Sequence, residues 1–275
     1  MKFSSIKELP IVWKIVEELS PYFLVFLLIL SQSSVGRELN TYSINYKASA
    51  GLATASATRS FLKSTTNSYE LLNTIEVSAA AQSIMNMTER SRITLTDSHQ
   101  LIPLSYSMRQ TGYLVKSENI EFDWVQSIAT ISTAEQSQKI KIEDEIFDKL
   151  SHQLNIHSNI RKTTNKISFN IIDESGIQEY LYIVLGYEDI ETPLGQFPSI
   201  KIERELPKSS SRSVIFWLSS EWEGVLLKMD QMINGIITVT LEIQEGRVNG
   251  KSITAVSYTH LRAHETVLDL VCRLL

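Results

Sequence analysis

Cysteine is nearly missing from this chain: of 275 residues only Cys272 carries a thiol. An intrachain disulfide framework is therefore excluded, and so is a thiolate-ligated metal cluster. Proline (6) and glycine (10) are sparse, which excludes collagen-like and Pro/Gly low-complexity architectures. Neither charge sign dominates, since 26 Lys and Arg face 31 Asp and Glu for a net charge of −5. The basic residues are scattered, and a protein that neutralises phosphates needs a basic stripe, so no nucleic-acid partner is expected. Equally absent are a Gly-x-Ser-x-Gly elbow, a Gly-rich phosphate loop and a His-Glu-x-x-His string.

What is present is an apolar fraction of 43% beside a charged fraction of 21%, the balance of a chain that can bury a core. Three regions differ in kind. Residues 22–30 read YFLVFLLIL, an apolar run of signal-peptide length and too short to span a bilayer. Ser34 and Gly36 supply small side chains just after it, so residues 1–36 are expected to be a signal peptide cleaved after Gly36. Glu8, Glu17 and Glu18 are unusual in such a leader, and an uncleaved inner-membrane anchor is the alternative. At the other end, residues 256–275 (VSYTHLRAHETVLDLVCRLL) resemble the translated adapter read-through that ends many assembled environmental sequences. This tail is set aside as non-native, and with it Cys272 and the His260 and His264 pair, whose spacing would otherwise suit a metal on a helix. Residues 37–255 remain as one expected domain.

Period-two alternation runs through that domain and predicts half-buried strands. Ile44, Tyr46 and Ala48 share one face. So do Leu71, Ile75 and Val77; Leu104, Tyr106 and Met108; Ile120, Phe122 and Trp124; and Ile237, Val239, Leu241 and Ile243. Residues 181–185 and 213–218 are apolar at successive positions, as strands covered on both faces would be. One helix is predicted over residues 143–160, with Ile146, Phe147, Leu150 and Leu154 as its apolar stripe and Glu143, Asp144 and Glu145 at its positive end. Turns are expected at Thr111-Gly112, Ser175-Gly176, Pro193 to Gly195, 207–211 and Asn234-Gly235. The resulting fold class is mainly β: a curved antiparallel sheet, a half-barrel-like meander, packing on one α-helix.

The string Glu191-Thr-Pro-Leu-Gly-Gln-Phe197, followed by Ile200-Lys-Ile-Glu203, Phe216-Trp-Leu218 and the strand 237–243, resembles the bacterial family known as domain of unknown function 3108. Ile44-Asn-Tyr-Lys47 and Phe122-Asp-Trp124 are similar to it as well. The resemblance implies an exported protein with a β-rich half-barrel and no assigned activity, and it supplies no catalytic residue. Pro193, Gly195 and Phe197 themselves read as a tight hairpin that returns the chain to the core.

A search for chemistry yields no catalytic, cofactor-binding or metal-binding residue. His152 and His157 diverge by about 140° on a helix, cannot share a metal, and are read as facing solvent. His99, in Asp97-Ser-His-Gln100, reads as part of a polar turn. Asp123, Glu203 and Glu223 are the carboxylates from which a hydrolytic pair would have to be drawn. Five aromatics, Phe122, Trp124, Phe216, Trp217 and Trp222, are the candidate ligand or partner face. The expectation is a periplasmic, non-enzymatic protein that binds an apolar or amphipathic ligand, a lipid or another envelope component, with membrane contact only through its N-terminal segment. The alternatives are an assembly factor pairing through a sheet edge, and a carboxylate-dependent periplasmic hydrolase.

Overall fold

The computed structural model describes residues 39–50, 53–79, 82–96, 100–112, 114–143, 145–160, 165–206, 212–233 and 237–255. Residues 1–36, expected to be a signal peptide, residues 256–275 with Cys272, His260 and His264, the Asp97-Ser-His99 string, and the turns expected at 207–211 and Asn234-Gly235 lie outside them. The chain divides into compact units Met1–Leu39 and Asn40–Leu275, and all the elements below belong to the second.

That unit is one long sheet built from two meanders. The first arm comprises β1 (Tyr42–Ala50), β2 (Ala53–Lys63), β3 (Ser68–Ala79), β4 (Gln82–Leu95), β5 (Leu101–Gly112), β6 (Lys116–Asp123), β7 (Ile128–Thr133) and β8 (Ser137–Lys141). After β9 (Ile146–Phe147) and the short helix α1 (Gln153–Asn159), the second arm runs through β10 (Lys166–Asp173), β11 (Gly176–Thr192), β12 (Gly195–Glu205), β13 (Ser213–Ser219), β14 (Leu226–Ile233), β15 (Ile237–Val248) and β16 (Lys251–Ser252). Each strand pairs antiparallel with its sequence neighbour, and β1 pairs with β15 to join the arms. The exception is β9, which pairs parallel with β10 because the helix-bearing crossover lies between them. The hydrogen-bonded order therefore starts at β8 and ends at β9, so the sheet is open. It curls far enough for β9 to lie against β5, and for Gln138 on β8 to donate to the Glu174 carbonyl of the opposite arm at 3.3 Å.

Alternation places the core as the pattern predicts. Ile44, Tyr46 and Ala48 on β1 are buried, as are Leu71 on β3, Tyr106 on β5, Ile120 and Phe122 on β6, and Ile243 on β15. Each isoleucine, leucine or phenylalanine among them contributes roughly 1.5–3 kcal/mol by leaving water. The Pro193-Leu194 turn links β11 to β12, with Gly195 at φ 109° and Phe197 fully buried behind it. Ser175 likewise lies in the turn that leads into β11 at Gly176, and Gly112 is the last residue of β5.

Several expectations are corrected. Leu104 is exposed although its alternation partner Tyr106 is buried. A bulge sets Pro103 opposite Ile93 and Ser105 opposite Arg92, which leaves Leu104 unpaired and turned outward. Trp124 belongs to a turn, since β6 ends at Asp123. Strand β11 is not covered on both faces, for Leu185 and Tyr187 are exposed. On β13 the neighbours Trp217 and Leu218 are both buried, but the outer cover over Trp217 is not a helix. Lys201 and Lys228 lie over it instead, each with its ammonium group 5.1 Å from the centre of the indole ring.

The largest correction concerns the helix, which occupies only Gln153–Asn159 instead of 143–160. Glu145 adopts φ 64°, which breaks any helix there, and Ile146 and Phe147 form β9. The Asp148 carboxylate then accepts the N–H groups of Leu150 and Ser151 at 2.8 and 2.9 Å, a side-chain turn that competes with the helical ladder. No acidic residue occupies the first helical turn, so the Glu143 to Glu145 cluster does not complement a helix dipole.

Candidate functional site

Residues 146–160 run through the concave side of the curled sheet and bond to both arms. Toward the first arm, Ser91 on β4 donates to Asp148 at 2.6 Å, Lys149 donates to Glu118 on β6 at 2.7 Å, and Arg59 on β2 donates to the Gln153 side chain at 2.6 Å. Toward the second arm, His152 meets Tyr182 on β11 at 2.8 Å, and Ile156 joins Ile167, Phe169, Ile200, Ile202 and Leu218 in a buried cluster. The segment is thus an internal plug.

His152 is 1% exposed, which corrects its solvent-facing reading. Its Nδ1 lies 3.1 Å from the Asp148 carbonyl, which can only accept, so Nδ1 carries the proton and Nε2 accepts from the Tyr182 hydroxyl. Burial pushes this imidazole's pKa down to about 3, and the nearby charges of Arg204 and Arg59 act in the same direction. His157 is half-buried, and Gly224 packs directly against it.

Beside the plug lies a cavity of about 320 Å³. Its lining is mixed: Val214, Phe216, Leu218 and Leu226 come from β13 and β14, whereas on β1 and β12 the apolar Ile44 and Ile202 alternate with Tyr42, Tyr46 and Arg204, and Arg59, Tyr180 and Tyr182 complete the polar and aromatic part. The strand parity explains the arginines: Arg59 alternates with Ala57 and Phe61 on β2, and Arg204 with Ile200 and Ile202 on β12, so both point inward. The Arg59 guanidinium donates to the Tyr42 hydroxyl at 3.2 Å as well as to Gln153. Arg204 stacks 3.5 Å above the Tyr180 ring. The Tyr46 hydroxyl and Arg204 Nε are buried without a hydrogen-bond partner among the described residues. Burial pushes the Tyr46 phenol above its usual range, so it stays protonated.

A second, wider cavity of about 690 Å³ lies where the arms approach, between Pro103 and Trp124 on one side and Phe147, Asn155 and Phe169 on the other. There Trp124 donates to the Pro103 carbonyl at 2.7 Å and stacks on Phe122 with ring centroids 5.8 Å apart.

The five candidate aromatics are accordingly dispersed. Phe122 and Trp124 belong together near the wider cavity, and Phe216 lines the smaller one. Trp217, next to Phe216 on the strand, faces outward and donates to Glu188. Trp222 packs on the cluster around Ile44 and Ile243, and its indole N–H is buried without a partner among the described residues. The three carboxylates are also separate: Glu223 reaches the smaller cavity, whereas Asp123 and Glu203 line neither cavity. Among the described residues no three His, Cys, Asp or Glu come together as metal ligands, and no helix is long and apolar enough to cross a membrane. The free edge β8 is five residues long and carries Lys139 and Lys141, charges that discourage strand addition.

Sequence reasoning missed Arg59, Arg204, Tyr180 and Tyr182. Their signal was available only as a basic or phenolic residue at an inward position of an alternating strand.

Comparison with known proteins accords with this architecture. The model of the family described as protein of unknown function DUF3108 matches residues 41–242. The chain belongs to that family. No curated protein matches it. Among solved structures, the β-barrel-like protein of domain of unknown function DUF1849 from Brucella abortus is similar at 9% identity and a TM-score of 0.51, covering 77% of this chain and 98% of its own. That likeness concerns fold alone. A proposed lipoprotein from Parabacteroides distasonis (11% identity, TM-score 0.33, 75% and 95% covered) is more remote. So is a proposed exported protein with a YmcC-like fold from Bacteroides fragilis (9%, 0.33, 75% and 94%). At those scores neither bears on this DUF3108 chain.

Proposed function

We propose that this DUF3108 protein is an exported, periplasmic binding protein that holds an apolar or amphipathic envelope molecule without catalysing a reaction on it. The observation that carries the reading is the cavity of about 320 Å³, lined by apolar as well as polar and aromatic side chains, with a buried phenol and a buried guanidinium nitrogen lacking partners among the described residues. Native interiors satisfy nearly all such groups, and an unpaired buried donor costs roughly 1–3 kcal/mol, so the pair is a site held ready for an acceptor. Small-molecule sites span roughly 300–1,000 Å³, which suits one chain or a compact ring system here and not a whole two-chain lipid. Export rests on the apolar run at residues 22–30. The inner-membrane-anchored form uses the same run uncleaved.

The test is native mass spectrometry of protein purified gently from a bacterial periplasm, joined to titration with a neutral fluorescent apolar probe. A reproducible added mass, and saturable probe binding abolished by Val214→Phe in the cavity wall, are expected. Absence of both, or probe binding indifferent to that variant, removes the cavity from the proposal.

A further inference from the structure

The geometry points to an anionic ligand, whose carboxylate or phosphate group is received between Arg59 of the first arm, Arg204 of the second and the Tyr46 hydroxyl of β1. This rests on the cavity reading above and deepens it by naming the headgroup.

Two guanidinium groups enter one small cavity from opposite arms, and neither has a carboxylate on it. The partners of Arg59 are a phenol and a side-chain amide, Tyr42 and Gln153, both neutral. The partner of Arg204 is the face of the Tyr180 ring, and its Nε is buried without a hydrogen-bond partner among the described residues. Both arginines act electrostatically on His152, so both lie within electrostatic reach of the same buried imidazole. That imidazole is neutral and contributes no compensating charge. The acids near the cavity do not compensate fully either. Glu89 acts electrostatically on Arg59 without bonding it, since its oxygens accept from Tyr106 at 2.9 Å and Asn73 at 3.4 Å, and Glu223 is exposed at the rim, so one enclosed carboxylate stands against two guanidinium groups. Lys149, the third cation there, is committed to Glu118.

Buried charges are ordinarily paired, because leaving a cation without a counter-charge in a poorly solvated site is costly. A bound anion would supply that counter-charge. Arginine's planar fork suits carboxylate and phosphate, and the Tyr46 hydroxyl, only 4% exposed as a residue, adds a neutral donor at the same site. The apolar side chains of Val214, Phe216 and Leu226, which also line the cavity, then accommodate whatever chain follows the headgroup.

The experiment is isothermal titration of the purified protein with dodecanoate, dodecanol and inorganic phosphate in parallel, repeated on Arg204→Met and Tyr46→Phe. Circular dichroism first checks that each variant is folded. Dodecanoate is expected to bind at least tenfold more tightly than dodecanol. Loss of a charge-assisted contact should weaken it roughly ten- to a hundredfold in Arg204→Met and several-fold in Tyr46→Phe, with dodecanol unaffected. Phosphate binding that is lost in Arg204→Met, without dodecanoate binding, upholds the anion site, identifies a free oxyanion as its occupant and overturns the amphipathic reading alone. Equal affinity for dodecanoate and dodecanol overturns the anion site and leaves the cavity reading standing. Binding of none of the three overturns both. If Arg204→Met is unfolded, Tyr46→Phe decides: unchanged dodecanoate affinity in that variant overturns the assignment.

Discussion

The Tyr182 hydroxyl donates to His152 Nε2 across 2.8 Å, and this bond ties the plug to the second arm. It requires a neutral imidazole, and the pH dependence follows. The folded pKa of about 3 lies below the free value of 6.5, so between these limits only the unfolded chain takes up the proton. Stability from this group is full above pH 6.5 and declines as pH falls toward 3. At pH 5 the loss is about 2 kcal/mol. Burial shifts the carboxyls of Asp148 and Glu118 upward, which gives the opposite slope, but both remain in a His152→Gln variant. Urea unfolding at pH 7 and pH 5 should therefore find the wild-type advantage over His152→Gln shrinking on acidification. Parallel pH curves would show that the imidazole titrates freely in the folded protein.

Lys149 and Glu118 form the plug's charged tie to the first arm, with the Glu118 side chain wholly enclosed and that of Lys149 25% exposed. Removing one member strands the other. Lys149→Met is expected to cost roughly 3–5 kcal/mol, while the double variant Lys149→Met with Glu118→Leu should recover most of it, because two apolar side chains replace two desolvated charges. A double-mutant cycle reads this directly, and a double variant no better than the single one would mean that the pair does more than neutralise itself.

The strands were legible because inward apolar residues recur every second position, as in Ile44, Tyr46 and Ala48. The plug was not, because Ile146, Phe147, Leu150 and Leu154 satisfy a helical period equally well. Their conformation is decided by Asp148 and Ser151, whose side chains bond the local backbone. Leu104 was misplaced for a related reason: a bulge shifts parity by one residue without any mark in the hydrophobic pattern. The cavity was the least legible feature. Tyr46 and Arg59 come from the β1–β2 hairpin and Tyr182 and Arg204 from the β11–β12 hairpin, two units far apart in sequence that only the sheet's curl brings together.

Gly224 sits at φ 74°, where a Cβ would come within 2.4 Å of His157 Cβ. Gly250 has nearly the same backbone angle, φ 76°, and nothing within 4 Å. Both alanine variants suffer the left-handed backbone, at roughly 1 kcal/mol, but only Gly224→Ala must also push the plug's helix away from the β13–β14 turn. Thermal unfolding should rank Gly224→Ala clearly below Gly250→Ala. Equal losses would refute the close packing of turn on helix.

Asp148 separates two roles that burial usually confounds. Its carboxylate accepts from Ser91, Leu150 and Ser151, and removing every acceptor in Asp148→Ala leaves backbone donors unpaired, at roughly 1–3 kcal/mol each. Asparagine keeps the Oδ1 acceptor that both N–H groups use, and its amide can donate to the rotatable Ser91 hydroxyl. It also carries no charge, and burial opposes the charge on Asp148 by raising its pKa. A raised carboxyl pKa means stability present at low pH and lost as pH rises above the ordinary value of 3.8, a loss that Asp148→Asn does not suffer. Asp148→Asn should therefore stay within about 1 kcal/mol of wild type near pH 4 and gain on it toward pH 7, while Asp148→Ala is destabilised throughout. Chemical unfolding of the three proteins at both pH values is the check. An asparagine variant as unstable as the alanine one at pH 7 would mean that the plug needs the charge itself and not the hydrogen bonds it accepts.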